Sequence, residues 1–73
     1  MKQEDIAVKL YFAIQDGKQC SVEEQPITSI QGERMEYYVR IDGNKYRINK
    51  DMAVSAIRHG AKHNRLERLY QFP

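Results

Sequence analysis

The sequence predicts an α+β fold in which a small antiparallel sheet is built on a β-hairpin at residues 35–48. Apolar and polar residues alternate on both sides of the turn signal Asp42-Gly43-Asn44, as they do in half-buried strands. Helical patterns lie before the hairpin, at residues 3–16, and after it, from about residue 51. With one further short strand, the predicted order is helix–strand–strand–strand–helix, and residues 1–73 are expected to form a single small domain.

Residues 3–16 fit an amphipathic helix best. Their apolar positions recur at helical spacing, at Ile6, Ala7, Leu10, Ala13 and Ile14. Glu4 and Asp5 would favour the dipole of the first turn, and Gly17 would end the helix. The same stretch also alternates as a strand would, with Asp16-Gly17 as its turn. Its length and its capping signals favour the helix.

The middle of the chain is predicted to be mostly irregular. Residues 17–25 are polar and are predicted as a loop, and Pro26 disfavours a helical residue before it. A short strand is predicted from Ile27 to Gln31, ending at Gly32.

The predicted hairpin has one apolar and one charged face. The apolar face holds Met35, Tyr37, Val39, Ile41, Tyr46 and Ile48. A two-residue turn at Asp42-Gly43 or at Gly43-Asn44 keeps these residues on one side, and both turns tolerate positive φ. The opposite face holds Glu36, Tyr38, Arg40, Lys45 and Arg47. Because one face of an antiparallel sheet commonly meets water, a solvated surface is the simpler interpretation, and a binding surface is the alternative.

A second helix is predicted from about residue 51, with Asn49 or Asp51 as its N-cap. One side of it would carry small and apolar residues that suit close packing on the sheet, namely Ala53, Ala56, Ile57 and Gly60. Arg58 and Lys62 would lie on the opposite side. Leu66, Leu69 and Tyr70 repeat at helical spacing, so the helix is expected to continue or resume past Asn64.

The composition is that of a folded globular domain, with 41% hydrophobic and 30% charged residues. No apolar run approaches the length of a membrane span, and Glu4 and Asp5 precede the first apolar stretch, where a secretory signal would carry cations. The single Cys20 cannot form an internal disulfide. We therefore expect a cytoplasmic protein with no membrane partner.

No catalytic or cofactor-binding pattern is present in the sequence. Its serines have no adjacent histidine to activate them, and its four glycines are too scattered for a phosphate loop. We therefore expect no enzyme activity, no cofactor and no small-molecule substrate. His59, His63 and Glu67 have the spacing of metal ligands on a continuous helix. Nearby cations would repel a metal ion, so ordinary histidines near a helix end are the better interpretation, and no metal site is predicted.

The charges are unevenly distributed along the chain. Residues 1–36 hold four Lys and Arg against seven acids, whereas residues 37–73 hold eight against three. Such an asymmetry can indicate a nucleic-acid or acidic protein partner. It can also mean that the two halves of the chain attract each other, or that two copies pack head to tail. The residues expected to contact such a partner are Tyr38, Arg40, Lys45, Arg47, Arg58, Lys62 and Arg65.

The predicted order of elements resembles that of the double-stranded-RNA-binding domain, and the resemblance covers element order only. In that family the last helix begins with a run of lysines that includes an alanine. The corresponding stretch here, Asn49 to Ala53, has one lysine and an acid.

Apolar residues outside the predicted core indicate self-association. They are Val8, Phe12, Leu66, Leu69, Tyr70 and Phe72. A chain of this size buries only a modest core, and exposed apolar patches usually mark an interface. We therefore predict a small non-enzymatic interaction or regulatory module that binds a protein partner or forms a homodimer. The alternative is a nucleic-acid-binding protein.

Overall fold

The computed structural model of this chain describes residues 2–72 and has an α+β fold. Its elements are α1 (Gln3–Gln15), β1 (Cys20–Ser29), β2 (Gly32–Ile41), β3 (Asn44–Ile48), α2 (Lys50–Arg58), β4 (Lys62–Arg65) and β5 (Leu69–Gln71). The predicted order of elements is therefore correct as far as α2. Two strands that were not predicted follow it.

The strands form one mixed sheet in the order β3-β2-β1-β4, and β5 also pairs with β1. The pairs β1–β2 and β2–β3 are antiparallel, whereas β4 and β5 run parallel to β1. β4 pairs with residues 21–24 of β1, and β5 pairs with residues 27–29. The two last strands therefore lie one after the other along the same edge of β1.

The predicted hairpin is confirmed as β2 and β3. Ile41 lies opposite Asn44, so the turn is the two-residue Asp42-Gly43 alternative. Both turn residues have positive φ, 51° at Asp42 and 81° at Gly43, which is the backbone of the primed turns that match strand twist. The register places Val39 opposite Tyr46, as the alternation predicts.

Residues 3–15 are helical, as predicted, and α1 buries Ile6, Leu10 and Ala13. The side chain of Gln3 ties its first turn to the chain after β3. Its amide nitrogen donates to the carbonyl oxygen of Arg47 at 2.8 Å, and its amide oxygen accepts from the backbone N–H of Asn49 at 3.2 Å. The two helices consequently begin close together.

The second helix begins after Asn49, which is one of the two predicted caps. The side-chain oxygen of Asn49 accepts the backbone N–H of Met52 at 2.8 Å, satisfying one of the free donors of the first turn. Ala53 and Ala56 are buried in the core, as their spacing predicts.

Both helices pack on one face of the sheet, around a single buried cluster. Its members are Ile6, Leu10, Ala13, Cys20, Val22, Val39, Ile41, Ile48, Ala53, Ala56 and Ala61. No member comes from residues 25–29, 32–36 or 69–71. These residues form the end of the sheet that lies beyond the buried cluster. The longest dimension of the molecule is 42 Å.

The prediction of a loop over residues 17–25 is wrong beyond residue 19. Cys20 begins β1, a central strand of the sheet, and this strand ends at Ser29 and not at Gln31. Cys20 and Val22 belong to the core, whereas Ser21 and Glu23 point to the opposite face. The polar residues of this strand therefore lie on the opposite face of the sheet. Their polarity is the reason that the sequence predicted a loop here.

The prediction of a helix continuing past Asn64 is also wrong. α2 ends at Arg58, and Gly60 has a φ of 112°, a conformation that favours glycine and ends the helical path. Lys62 then begins β4, in register with Ser21, and so does not lie on a helix. Among residues 2–72 no helix is long and apolar enough to cross a membrane.

Pro26 accounts for the break between β4 and β5. The N–H of Leu66 donates to the carbonyl oxygen of Glu24 at 2.8 Å, so the backbone of Glu24 faces this edge. Pro26, two residues later, faces the same edge but has no N–H to donate. The side-chain amide of Gln25 fills part of the gap and donates to the carbonyl oxygen of Glu67 at 2.6 Å.

Candidate interaction surfaces

The sheet face opposite the helices, which we call the open face, gathers most of the predicted cationic residues. Tyr38 lies opposite Arg47, and Arg40 lies opposite Lys45, in the β2–β3 register. Lys62 joins this face from β4, because its register partner Ser21 is also the partner of Arg40. The structure thus brings together the sheet residues that the alternation placed on one side.

Glu23 lies beneath two of these cations. Its Oε2 accepts a hydrogen bond from Nε of Arg40 at 3.1 Å, and Nζ of Lys45 lies 3.4 Å from its Oε1. Glu23 is only 8% exposed, and among the described residues its Oε1 has no hydrogen-bond donor in good geometry. The ammonium of Lys45 is therefore an electrostatic partner, and the two cations offset the cost of burying this carboxylate.

Glu36 is the second acid of the open face. It accepts a 2.7 Å hydrogen bond from the hydroxyl of Tyr38, and Arg34 and Arg47 approach the same carboxylate at 3.2 and 3.4 Å. The Tyr38 hydroxyl, followed by these two guanidinium groups, lowers the pKa of Glu36 against the opposing effect of burial. The same hydrogen bond, together with burial, raises the pKa of Tyr38.

The open face carries more positive charge than the protein as a whole. The cations on it are Arg34, Arg40, Lys45, Arg47 and Lys62, and the acids are Glu23 and Glu36. Five cations against two acids leave a larger surplus than the chain's net charge of +2. Nζ of Lys45 lies 4.4 Å from the ring centroid of Tyr38, so this ring is covered by a cation.

The remaining predicted cations lie elsewhere. Arg65 has Glu24 as its register partner and belongs to the helix side of the sheet, and Arg58 lies in the last turn of α2. His63, on β4, contacts the carboxylate of Glu24, and the ring of His59 contacts the carbonyl oxygen of Ser55 at 2.7 Å. The continuous helix that would align the two histidines with Glu67 does not form.

Comparison with protein-family models, with curated proteins and with solved structures finds no match to this chain. Function is therefore inferred from the surfaces themselves.

An apolar patch runs along the outer side of α1. Val8 and Phe12 are 56% and 57% exposed, and the Phe12 ring packs edge to face against that of Tyr11, with 5.5 Å between centroids. Tyr11 was not predicted to belong to this surface, although it is three residues from Val8 and so on the same side of a helix. Beside this patch, a groove of about 260 Å³ separates α1 from α2. We call Val8, Tyr11 and Phe12 the α1 patch.

A second apolar patch lies on β5 and the residue after it. Tyr70 and Phe72 are 64% and 61% exposed, and their rings stack with 6.4 Å between centroids. Leu69 is also exposed, whereas Leu66 is half-buried. The residues predicted for self-association therefore divide into two surfaces. We call Leu69, Tyr70 and Phe72 the β5 patch.

Proposed function

We propose that this chain is a small non-enzymatic interaction module that associates with a second copy of itself. The exposed aromatic residues of the α1 and β5 patches carry the proposal. Exposed apolar patches mark interfaces in soluble domains, and a twofold dimer is the commonest way for a small chain to cover them.

The distribution of charge supports a second copy as the partner. Both patches consist of uncharged side chains, and the α1 patch lies on the helix side of the sheet, away from the open face. Two copies that meet through their α1 patches therefore keep their positive open faces apart. Contact between the open faces would cost electrostatic free energy instead.

Sedimentation equilibrium over the micromolar range tests this proposal. The wild-type chain is expected to sediment as a species heavier than its own 8.6 kDa. Phe12→Glu and Tyr70→Glu each place a charge in one patch, and at least one of them should weaken association at least about tenfold. Val54→Glu is the matched control, because Val54 is 38% exposed on α2 and lies outside both patches. A wild-type mass of one chain at every concentration would reject self-association.

Nucleic-acid binding through the open face is the second candidate function, and the surplus of positive charge on that face favours it. The structure suggests a control of equal charge. Arg40 and Arg47 lie on the open face, whereas Arg58 and Arg65 lie on the helix side. Replacing the first pair with Ala should weaken binding to a mixed-sequence oligonucleotide and flatten its salt dependence, and replacing the second pair should do neither. Absence of binding at low salt rejects this candidate.

We further propose that the module acts in the cytoplasm. Cys20 is free and buried in the core, and burial raises the pKa of its thiol, which keeps it in the unreactive protonated form. A lone unreactive thiol fits a reducing compartment.

A further inference from the structure

The edges of the sheet are protected unequally. Proteins keep exposed strand edges from pairing with other chains by placing charged side chains on them. Among residues 2–72 the other edge segments carry such charges, namely Lys45 and Arg47 on β3, Lys62 and Arg65 on β4, and Glu33, Arg34 and Glu36 on the end of β2 beyond β3. β5 consists of Leu69, Tyr70 and Gln71 and carries no charge.

The register shows which backbone groups of β5 face outward. The backbone of Glu24 faces the β4–β5 edge, and so does that of Thr28, four residues later on the same strand. In a parallel ladder such a residue bonds to the two residues that flank its register partner. The partner of Thr28 is Tyr70, so Leu69 and Gln71 bond to β1, and the N–H and C=O of Tyr70 point away from the sheet.

We propose that β5 pairs antiparallel with β5 of a second copy, about a twofold axis at Tyr70. This inference rests on the proposed self-association and specifies its surface. Tyr70 would lie opposite the partner's Tyr70, exchanging both backbone hydrogen bonds with it, and the two sheets would become one continuous sheet.

In this register, the side chains around Tyr70 are compatible with the side chains that face them from the second copy. Arg68 lies opposite the partner's Phe72, and these residues share a face with Tyr70 because they alternate along the strand. Arg68 already contacts Thr28 Oγ1 on β1 at 2.9 Å and Glu33 on β2 at 3.5 Å, so its guanidinium lies over the sheet, its charge has a partner there, and it leaves the outer edge of β5 free. Across the interface, Tyr70 meets the partner's Tyr70 and Leu69 meets the partner's Gln71. No like charges are opposed, which favours a second copy over an unrelated strand.

Amide hydrogen exchange tests the pairing on the unaltered chain. The N–H of Tyr70 faces outward, so it should exchange rapidly at low protein concentration and become protected, about tenfold or more, at concentrations where the protein associates. The N–H of Gln71 faces β1 and is the internal control, with protection independent of concentration. Exchange of the Tyr70 amide that stays fast while the protein is associated would overturn the β5 pairing.

Two substitutions at Tyr70 separate the backbone from the side chain. Tyr70→Pro removes the outward N–H and leaves the bonds of Leu69 and Gln71 to β1 in place, whereas Tyr70→Thr keeps the N–H and removes only the ring. The proline variant should associate at least about tenfold more weakly than the threonine variant. If Tyr70→Pro associates as well as Tyr70→Thr and Phe12→Glu is monomeric, self-association stands and the β5 pairing fails. A wild-type chain that is monomeric throughout rejects both.

Discussion

The hydroxyl of Tyr38 donates a 2.7 Å hydrogen bond to the carboxylate of Glu36, two positions earlier on β2. Each group perturbs the other, because the bond stabilises the ionised carboxylate and the neutral phenol. It lowers the pKa of Glu36 and raises the pKa of Tyr38. The free energy of unfolding should therefore depend on the ionisation of Glu36 in the acidic range and on that of Tyr38 in the alkaline range.

The acid-side prediction concerns Glu36. Because its pKa is lower in the folded state, ionised Glu36 contributes stability above its unfolded pKa of about 4.5, and this is lost as pH falls through the folded pKa. Urea unfolding should show Glu36→Gln to be less stable than wild type near neutral pH, with a difference that shrinks towards pH 3. Glu67→Gln, at an exposed position, serves as the control. A difference that stays constant with pH would contradict this role.

The alkaline prediction concerns Tyr38. Its raised pKa means that the neutral phenol stabilises the fold below the unfolded pKa of about 10, and that this stability is lost as pH rises through the folded pKa. In the wild type, part of the tyrosine ionisation should occur above pH 10. Tyr38→Phe should remove this part, as measured by the absorbance of the phenolate. Tyr11→Phe, on the exposed side of α1, is the comparison. An unchanged upper part of the titration curve in Tyr38→Phe would refute this coupling.

Val39 provides a test of the core. It is fully buried between Val22 on β1 and Tyr46 on β3. Val39→Asp puts a charge there with no partner, a cost of several kcal/mol against a total stability of about 5–15 kcal/mol, so the domain should unfold. Thermal unfolding followed by circular dichroism measures the effect. Val54→Asp, at an exposed position of α2, should change stability far less.

Asn49 provides a test of the second helix. Its side chain caps α2 through the backbone N–H of Met52, so Asn49→Ala should cost about 1 kcal/mol of unfolding free energy. Asn49→Ser keeps a capping oxygen and should retain most of the stability. Equal losses in the two variants would show that the effect comes from another contact, such as that between the Asn49 N–H and Gln3.

The sequence predicted the elements whose signals are local. The helix at residues 3–15 follows from its apolar spacing, and the hairpin follows from alternation on both sides of Asp42-Gly43. The first part of β1, before the strand predicted from Ile27, was missed because its residues are mostly polar and Glu23 looks incompatible with a central strand. The cations that allow its burial, Arg40 and Lys45, come from two other strands, so no local pattern could reveal them.

The last two strands were missed for a different reason. Every residue of β4 is exposed, so it has no apolar alternation, and the short β5 carries Leu69 and Tyr70 on opposite faces. Their spacing with Leu66 matches a helix only by coincidence. The same limit applies to the surfaces, because alternation placed Tyr38 and Arg47 on one face but could not show that Lys62 joins them from β4.

Glu23 can distinguish a structural role of the open face from a binding role. Its buried carboxylate holds Arg40 and Lys45, so Glu23→Gln should lower the unfolding free energy in urea, since the two cations lose their counter-charge.

The same substitution adds one positive charge to the open face. If that face binds nucleic acid, the variant should bind a labelled oligonucleotide several-fold more tightly at low salt, because one charge at close range is worth roughly 1 kcal/mol in water. Fluorescence anisotropy at several salt concentrations measures this. Glu33→Gln changes the net charge equally, but Glu33 lies on the helix side, in register with Thr28. Equal tightening in both variants would show that binding follows total charge and not the open face, whereas tightening in Glu23→Gln alone would locate the nucleic acid above Arg40 and Lys45.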